Sequence, residues 1–206
     1  MKKNLSTSLA TLLLVFSLNS AAQEDIAEES QSMSTAIFAG GCFWCIESDF
    51  EKLDGVKEVV SGYTGGSADT ADYKTVTYKQ TGHVEAVRVS YDPNVVSYAE
   101  LVEYFWRHID PTDPLGQFCD KGHSYVSGLY YGNDAEQKIA EQSLANLKQN
   151  KPFEADIVTP ILPAKTFYLA EEYHQDYYKK NPIRYKFYRS GCGRDNRVNQ
   201  LWGGEN

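Results

Sequence analysis

A short apolar run that ends in two glycines and a pair of cysteines constrains this chain more than any other stretch. Thr35-Ala36-Ile37-Phe38-Ala39 has the length and composition of a buried strand. Gly40-Gly41 interrupts it. Trp44, Ile46, Phe50 and Leu53 then follow at near-helical spacing, up to a stop at Asp54-Gly55. The chain must turn from strand to helix around Cys42, which is expected at or beside the helix N-terminus. Free N–H groups and the positive end of the helix dipole favour a thiolate there, and the glycines keep the turn tight and the sulfur accessible. Gly-Gly-Cys-Phe-Trp-Cys at a strand end therefore reads as a redox site. The plainer alternative makes Cys42 and Cys45 buried filler or a passive disulfide.

The N-terminus reads as an export signal. Lys2 and Lys3 precede an apolar run over residues 9–18, and Ser20-Ala21-Ala22 offers a small-residue cleavage site. That run is short of the roughly 20 apolar residues that span a bilayer, and no other stretch approaches that length. Residues 1–22 are thus expected to be a signal peptide and 23–34, acidic and polar, a disordered lead-in. Residues 35–206 are expected to form a single catalytic domain, with the mature protein exported to the periplasm or secreted, not membrane-bound, and monomeric. A formal charge of −8 argues against nucleic acid or an anionic membrane as partner. All four cysteines, at 42, 45, 119 and 192, lie in the mature part, and an oxidising compartment makes a structural disulfide possible. No second Cys-x-x-Cys and no zinc-type Cys/His cluster accompanies them, so no metal is expected.

Residues 56–63 are strand-like and break at Gly65-Gly66-Ser67 into a polar loop that runs to Tyr73. Residues 82–93 carry the clearest strand. Period-2 alternation sets Val87, Val89 and Tyr91 on one face with Glu85, opposite Val84, Ala86, Arg88 and Ser90. A carboxyl on the apolar side has its pKa raised by desolvation and suits a general acid; a frayed strand end would leave it solvated. Ser97-Tyr98-Ala99-Glu100 is a capping box, and the helix that it opens ends at Asp110-Pro111. A loop over 115–124 holds Cys119 and Asp120 and leads into a strand at 125–131. Asn133-Asp134 caps a third helix, residues 156–161 read as a short strand, and residues 167–180 as a last aromatic helix. In that helix Glu171 and His174 are expected to pack and hydrogen-bond rather than bind metal. Cys192, between Gly191 and Gly193, is expected on a flexible tail suited to thiol exchange. Alternating strands and helices point to one α/β or α+β domain.

Four blocks, Gly41-Cys42-Phe43-Trp44, Gly82-His83-Val84-Glu85-Ala86-Val87, Asp110-Pro111-Thr112 and Glu171-Glu172-Tyr173-His174-Gln175-Asp176-Tyr177, resemble the A-type peptide methionine sulfoxide reductases in order and spacing. The resemblance implies a two-layer α/β sandwich, a mixed sheet with ferredoxin-like topology and long loops, and no bound cofactor. It implies that Cys42 attacks the sulfoxide sulfur of the S epimer, that Phe43 and Trp44 wall the methyl group, and that Glu85, Tyr73 and Tyr125 engage the oxygen, with Asp120 organising that corner. Cys42 is left as a sulfenic acid, and a second thiol closes a disulfide that thioredoxin or a similar dithiol reduces. Cys192 lies in the region of the resolving cysteine of many members, with Cys45 the runner-up. Two positions depart from the pattern: Cys45 and Cys119 stand where the family often has Gly and Asn. A thioredoxin-like oxidoreductase using Cys42 and Cys45 is the rival reading, and a scaffold with structural disulfides a second. Neither needs a buried glutamate or a Phe-Trp wall.

Overall fold

The computed structural model describes residues 33–203. The signal-peptide expectation for residues 1–22 and nearly all of the lead-in lie outside the described residues. Along the chain run β1 (Ser34–Gly40), α1 (Phe43–Phe50), β2 (Val56–Thr64), α2 (Tyr73–Tyr78), β3 (Val84–Tyr91), α3 (Tyr98–Arg107), β4 (Gly116–Gln117), β5 (Asp120–Lys121), β6 (Ser127–Tyr131), α4 (Asp134–Asn150), β7 (Ile161–Pro163), β8 (Phe167–Leu169), α5 (Tyr177–Lys180), α6 (Pro182–Gly191) and α7 (Arg194–Trp202).

Six strands form one sheet in the order β7-β6-β1-β3-β2-β8, and β4 and β5 pair separately. The central four, β6-β1-β3-β2, are antiparallel neighbours. With α1 and α3 as crossovers this is the expected ferredoxin-like arrangement. The parallel pairing of β7 on β6 makes the sheet mixed. Alternation on β3 holds as read. Val87, Val89 and Tyr91 join the main core with Phe38, Ile46, Phe50, Phe105 and Trp106, whereas Val84 and Ala86 pack on the other face against Ala39 and Tyr130. The capping box of α3 forms with both of its bonds, and the Asn133 side chain accepts from Ala135 and Glu136 N–H to start α4.

Several expectations need correcting. The polar loop before Tyr73 contains a 3-10 turn at Ala68–Thr70 and then α2, which Asp72 caps through Thr75 N–H. The loop after α3 holds the β4–β5 hairpin, and the following strand begins at Ser127, with Tyr125 in a 3-10 turn at His123–Tyr125. The strand expected at 156–161 starts only at Ile161, where a ladder on β6 exists. Residues 167–180 are not one helix. Phe167–Leu169 is drawn into the sheet edge by β2, a 3-10 turn follows at Glu172–His174, and Asp176 adopts a left-handed conformation (φ 53°) that no helix can pass through. The supposedly flexible tail is two helices, α6 and α7, with Cys192 at their junction.

That C-terminal pair reaches the active strand–helix turn. Arg194, fully buried, donates to the Gly40 carbonyl at 3.1 Å and the His108 carbonyl at 2.7 Å, and its Nε lies 3.6 Å from buried Asp49 on α1. Arg189 on α6 makes a closer pair with the same carboxylate, 2.8 Å. Gly41 is required where it stands: its φ is +83°, and a Cβ there would lie 2.5 Å from Cβ of buried Gln117. Among the described residues no helix is long and apolar enough to cross a membrane. Removing one partner of a buried charge cluster costs about 3 kcal/mol, so Arg194→Ala should lower the urea unfolding free energy by that order. Phe187→Ala, on an exposed side chain of α6, should change it by no more than about 0.5 kcal/mol.

Candidate active site

Cys42 is the residue from which α1 starts, its carbonyl accepting from Cys45 N–H at 3.1 Å. The next N–H, that of Phe43, has no helical partner and donates instead to Glu85 Oε2 at 3.0 Å. This bond brings the start of α1 and the first turn of β3 together. Around them Cys42, Phe43, Trp44, Tyr73, Glu85, Asp120, Tyr125 and Tyr188 line a pocket of about 60 Å³. A much larger depression of about 530 Å³ lies elsewhere, between Leu53 and His108, but no cysteine lines it. Reactive groups, rather than size, select the smaller pocket.

Phe43 is buried, and Trp44 is fixed by three contacts. Its ring stacks on Tyr177 with centroids 3.7 Å apart, its edge meets Tyr188, and its Nε1–H donates to His174 Nδ1 at 3.0 Å. Burial lowers the His174 pKa to about 4, which keeps the ring neutral and able to accept. Glu171 accepts from the Tyr63 hydroxyl at 2.8 Å and from Tyr73 N–H at 2.9 Å, anchoring α2 at the pocket rim. Glu171 and His174 thus pack and hydrogen-bond, the role preferred for them above.

Glu85 is 2% exposed, and desolvation pushes its pKa up to about 8 against the help of the Phe43 N–H. Asp120 and Cys45 add repulsion. At neutral pH it is a carboxylic acid with one oxygen pinned and its proton available to the pocket. The Tyr73 hydroxyl is shifted to about 12, and Tyr125 still higher, both first by burial and next by Glu85. Both remain donors throughout the ordinary pH range.

The cysteines depart from expectation. Cys42 is only 5% exposed, and burial, then its hydrogen bond with Cys45 and the charges of Cys45 and Glu85, push its thiol well above the usual range; a hydrogen bond from Tyr188 pulls the other way. Desolvation outweighs the helix terminus, whose first free N–H is already spent on Glu85. Cys45 is shifted downward instead, by the hydrogen bond from Cys42 against its own burial, with help from Arg194 and Arg189. Within the pair, loss of a proton is thus favoured at Cys45 over Cys42. Cys192, expected as a free resolving thiol, is joined to Cys119, while Cys42 and Cys45 are free. The Asp120 carboxylate stands between the two sets. One oxygen accepts a short hydrogen bond from the Tyr188 hydroxyl, and its oxygens lie 3.8 Å from Cys119 Sγ and 3.9 Å from Cys192 Sγ.

The family model for peptide methionine sulfoxide reductase matches residues 34–206. The chain belongs to that family. It is 50% identical over 171 residues to the peptide methionine sulfoxide reductase MsrA of Ligilactobacillus salivarius, covering 83% of this chain and 99% of that one. It is 41% identical over 197 residues to a Vibrio cholerae protein named peptide methionine sulfoxide reductase MsrA/MsrB, covering 96% of this chain but only 52% of that longer one. Among solved structures, reduced Mxr1 from Saccharomyces cerevisiae matches with a TM-score of 0.69 and 34% identity, over 75% of this chain and 88% of that one. The same yeast protein in complex with Trx2 matches with a TM-score of 0.51 and 28% identity, over 75% and 91% of the two chains.

As a member of the methionine sulfoxide reductases, the chain brings together in one pocket Cys42, Phe43, Trp44, Tyr73, Glu85, Asp120 and Tyr125, all singled out from the sequence. Cys45 sits behind Cys42, and Cys192 just beyond Asp120. Sequence reading missed Tyr188, which touches both Cys42 and Asp120, and the stacking of Tyr177 on Trp44. Tyr177 and His174 both lie inside a recognised block, and Tyr188 lies outside every block. Glu85 also makes a pH-dependent contribution to stability. Its folded pKa of about 8 exceeds the ordinary 4.5, so between those values the folded state keeps a proton that the unfolded state has lost, and stability falls as pH rises. The melting temperature of Glu85→Gln relative to wild type should therefore rise from pH 4.5 to pH 8; a constant difference would contradict the shift.

Proposed function

We propose that the protein reduces the S epimer of methionine sulfoxide, free or within proteins, to methionine, with Cys42 as the nucleophile. The observation that carries this reading is the convergence of a thiol, a protonated buried carboxyl and two tyrosine hydroxyls on one small pocket walled by Phe43 and Trp44. About 60 Å³ suits a methylsulfinyl group, and the walls favour its methyl. Glu85 hydrogen-bonds the sulfoxide oxygen with Tyr73 and Tyr125 as further donors, which makes the sulfur electrophilic. Cys42 gives up its proton as its sulfur attacks. Methionine departs, the oxygen stays on Cys42, and the product is a sulfenic acid.

Cys192 then condenses with Cys42, releasing water, and a thioredoxin-type dithiol returns the enzyme to its thiol form by exchange. The position of Cys192 beside Asp120 supports the first of these steps, and the yeast relative seen with Trx2 supports the second. Reaction of Cys192 in this state requires prior reduction of its bond to Cys119. Export to the periplasm or exterior completes the reading. It rests on Lys2 and Lys3, the apolar run over residues 9–18 and the small residues Ser20-Ala21-Ala22.

Mature protein, residues 23–206, with dithiothreitol should consume the S epimer of methionine sulfoxide and leave the R epimer. Cys42→Ser should abolish the reaction. Glu85→Gln should slow it by about 10²- to 10⁴-fold while its thiols still titrate. The wild-type rate should fall above pH 8, as Glu85 loses its proton. N-terminal sequencing of the exported protein should begin at Gln23, and retention of residue 1 would overturn the export reading.

A further inference from the structure

A buried carboxyl outside the pocket takes no part in the chemistry derived above. Glu47 lies on α1 one turn after Trp44, on the same side of that helix. It is 1% exposed, and desolvation pushes its pKa up to about 7 although two hydrogen bonds oppose the shift. Its Oε2 accepts from the Ser61 hydroxyl on β2 and its Oε1 from Asp176 N–H, both at 2.6 Å. The second of these bonds meets the chain at a strained point. Asp176 is left-handed (φ 53°), a conformation that a non-glycine residue keeps only where its surroundings fix it. Gln175, just before it, is tied as firmly. Its side chain accepts from Ser61 N–H and donates to the Ser61 and Ala170 carbonyls, all at 2.9 Å. Lys179 Nζ lies 2.6 Å from Glu51 and 2.7 Å from Asp176, so the acidic grouping around Glu47 already has its cation.

The residues on either side of this tied pair are the two that hold Trp44. His174 accepts the indole N–H at 3.0 Å, and Tyr177 stacks on the ring with centroids 3.7 Å apart and planes 8° from parallel. Helix α1 thus carries the Trp44 wall and, one turn on, the group that fixes what the wall leans against. We infer that Glu47 is a positioning residue for the reductase: through Ser61 and Asp176 it sets His174 and Tyr177 against Trp44, and so fixes the width of the pocket that receives the substrate methyl group. This rests on the reductase reading above. A pocket of about 60 Å³ leaves little room for error, and a misplacement of about 1 Å can cost roughly 10²-fold in rate. The requirement is for hydrogen bonds rather than charge. Ionised, Glu47 accepts twice; protonated, it donates to Ser61 Oγ and still accepts from Asp176 N–H. Glutamine can repeat the second pattern. Methionine fills the same space but leaves the Asp176 N–H and the Ser61 hydroxyl without that partner.

The test compares methionine S-sulfoxide with its ethyl homologue, ethionine S-sulfoxide, using dithiothreitol as donor and circular dichroism to establish that each variant is folded at the assay temperature. Wild type should prefer the methyl substrate. Glu47→Gln should stay within about 2-fold of wild type in kcat/KM and keep that preference. Glu47→Met should lose about 10- to 100-fold in kcat/KM on the methyl substrate and less on the ethyl one, so that the preference narrows. Tyr177→Leu, which removes the stack directly, should narrow it likewise, and adding Glu47→Met to Tyr177→Leu should cost little more. An unchanged preference in folded Glu47→Met would overturn the inference. A fully additive loss in the double variant, or a loss in Glu47→Gln as large as in Glu47→Met, would do the same. Should Glu47→Met not fold, Glu47→Asp takes its place, its carboxyl being one methylene too short to reach both partners. Consumption of neither substrate by wild type would sink the reductase reading itself, whatever Glu47 does.

Discussion

The hydrogen bond from Phe43 N–H to Glu85 is the contact on which the site depends. It joins the first free donor of α1 to a carboxyl on the core face of β3, the strand that pairs with β1, which leads into α1. It leaves the acid buried and oriented, with one oxygen accepting and the other facing the pocket. The same bond denies the helix-terminal N–H to the Cys42 sulfur, whose thiol is pushed well above the usual range by burial. Burial raises the pKa of both Glu85 and Cys42 and favours the protonated form of each, while the Phe43 N–H orients the carboxyl and works against its shift.

A second, ionic layer lies beneath. Asp49, Arg189 and Arg194 are packed under α1; the two arginines add to the Cys42 hydrogen bond in lowering Cys45, and Asp49 opposes them. Tyr188, from the same helix as Arg189, faces the pocket and ties Cys42 to Asp120. The C-terminal helices therefore supply both the counter-charge for Cys45 and the bridge towards Cys119 and Cys192.

How much of this was legible in the sequence depended on the range of the determining contact. The strand–turn–helix around Cys42, the alternation on β3 and the caps of α3 and α4 are local, and they read correctly because period and capping chemistry decide them. Residues 167–180 misled because their aromatic spacing suits a helix, whereas β2 pulls Phe167–Leu169 into the sheet, a choice made from a hundred residues away in the chain. The tail misled because two glycines beside Cys192 suggest mobility, whereas buried Arg194 anchors the segment. The pocket residues Phe43, Tyr73, Glu85, Asp120 and Tyr125 came chiefly from family resemblance. Tyr188 lay outside the recognised blocks and had no local mark. The thiolate expectation failed for a different reason: charge at a helix start is readable, but desolvation needs the packed surroundings.

The Arg194–Gly40 hydrogen bond spans 154 residues, and that has a consequence for how the protein is made. Loop closure over such a distance comes late in folding. During synthesis the strand–helix turn emerges early, with the Cys42 and Cys45 sulfurs and no clamp behind them, and waits for almost the whole chain before Arg189 and Arg194 exist. For that interval Cys42 and Cys45 are ordinary neighbouring thiols in water, open to any oxidant or disulfide they meet. Their protection and their reactivity arrive together, with the last helix.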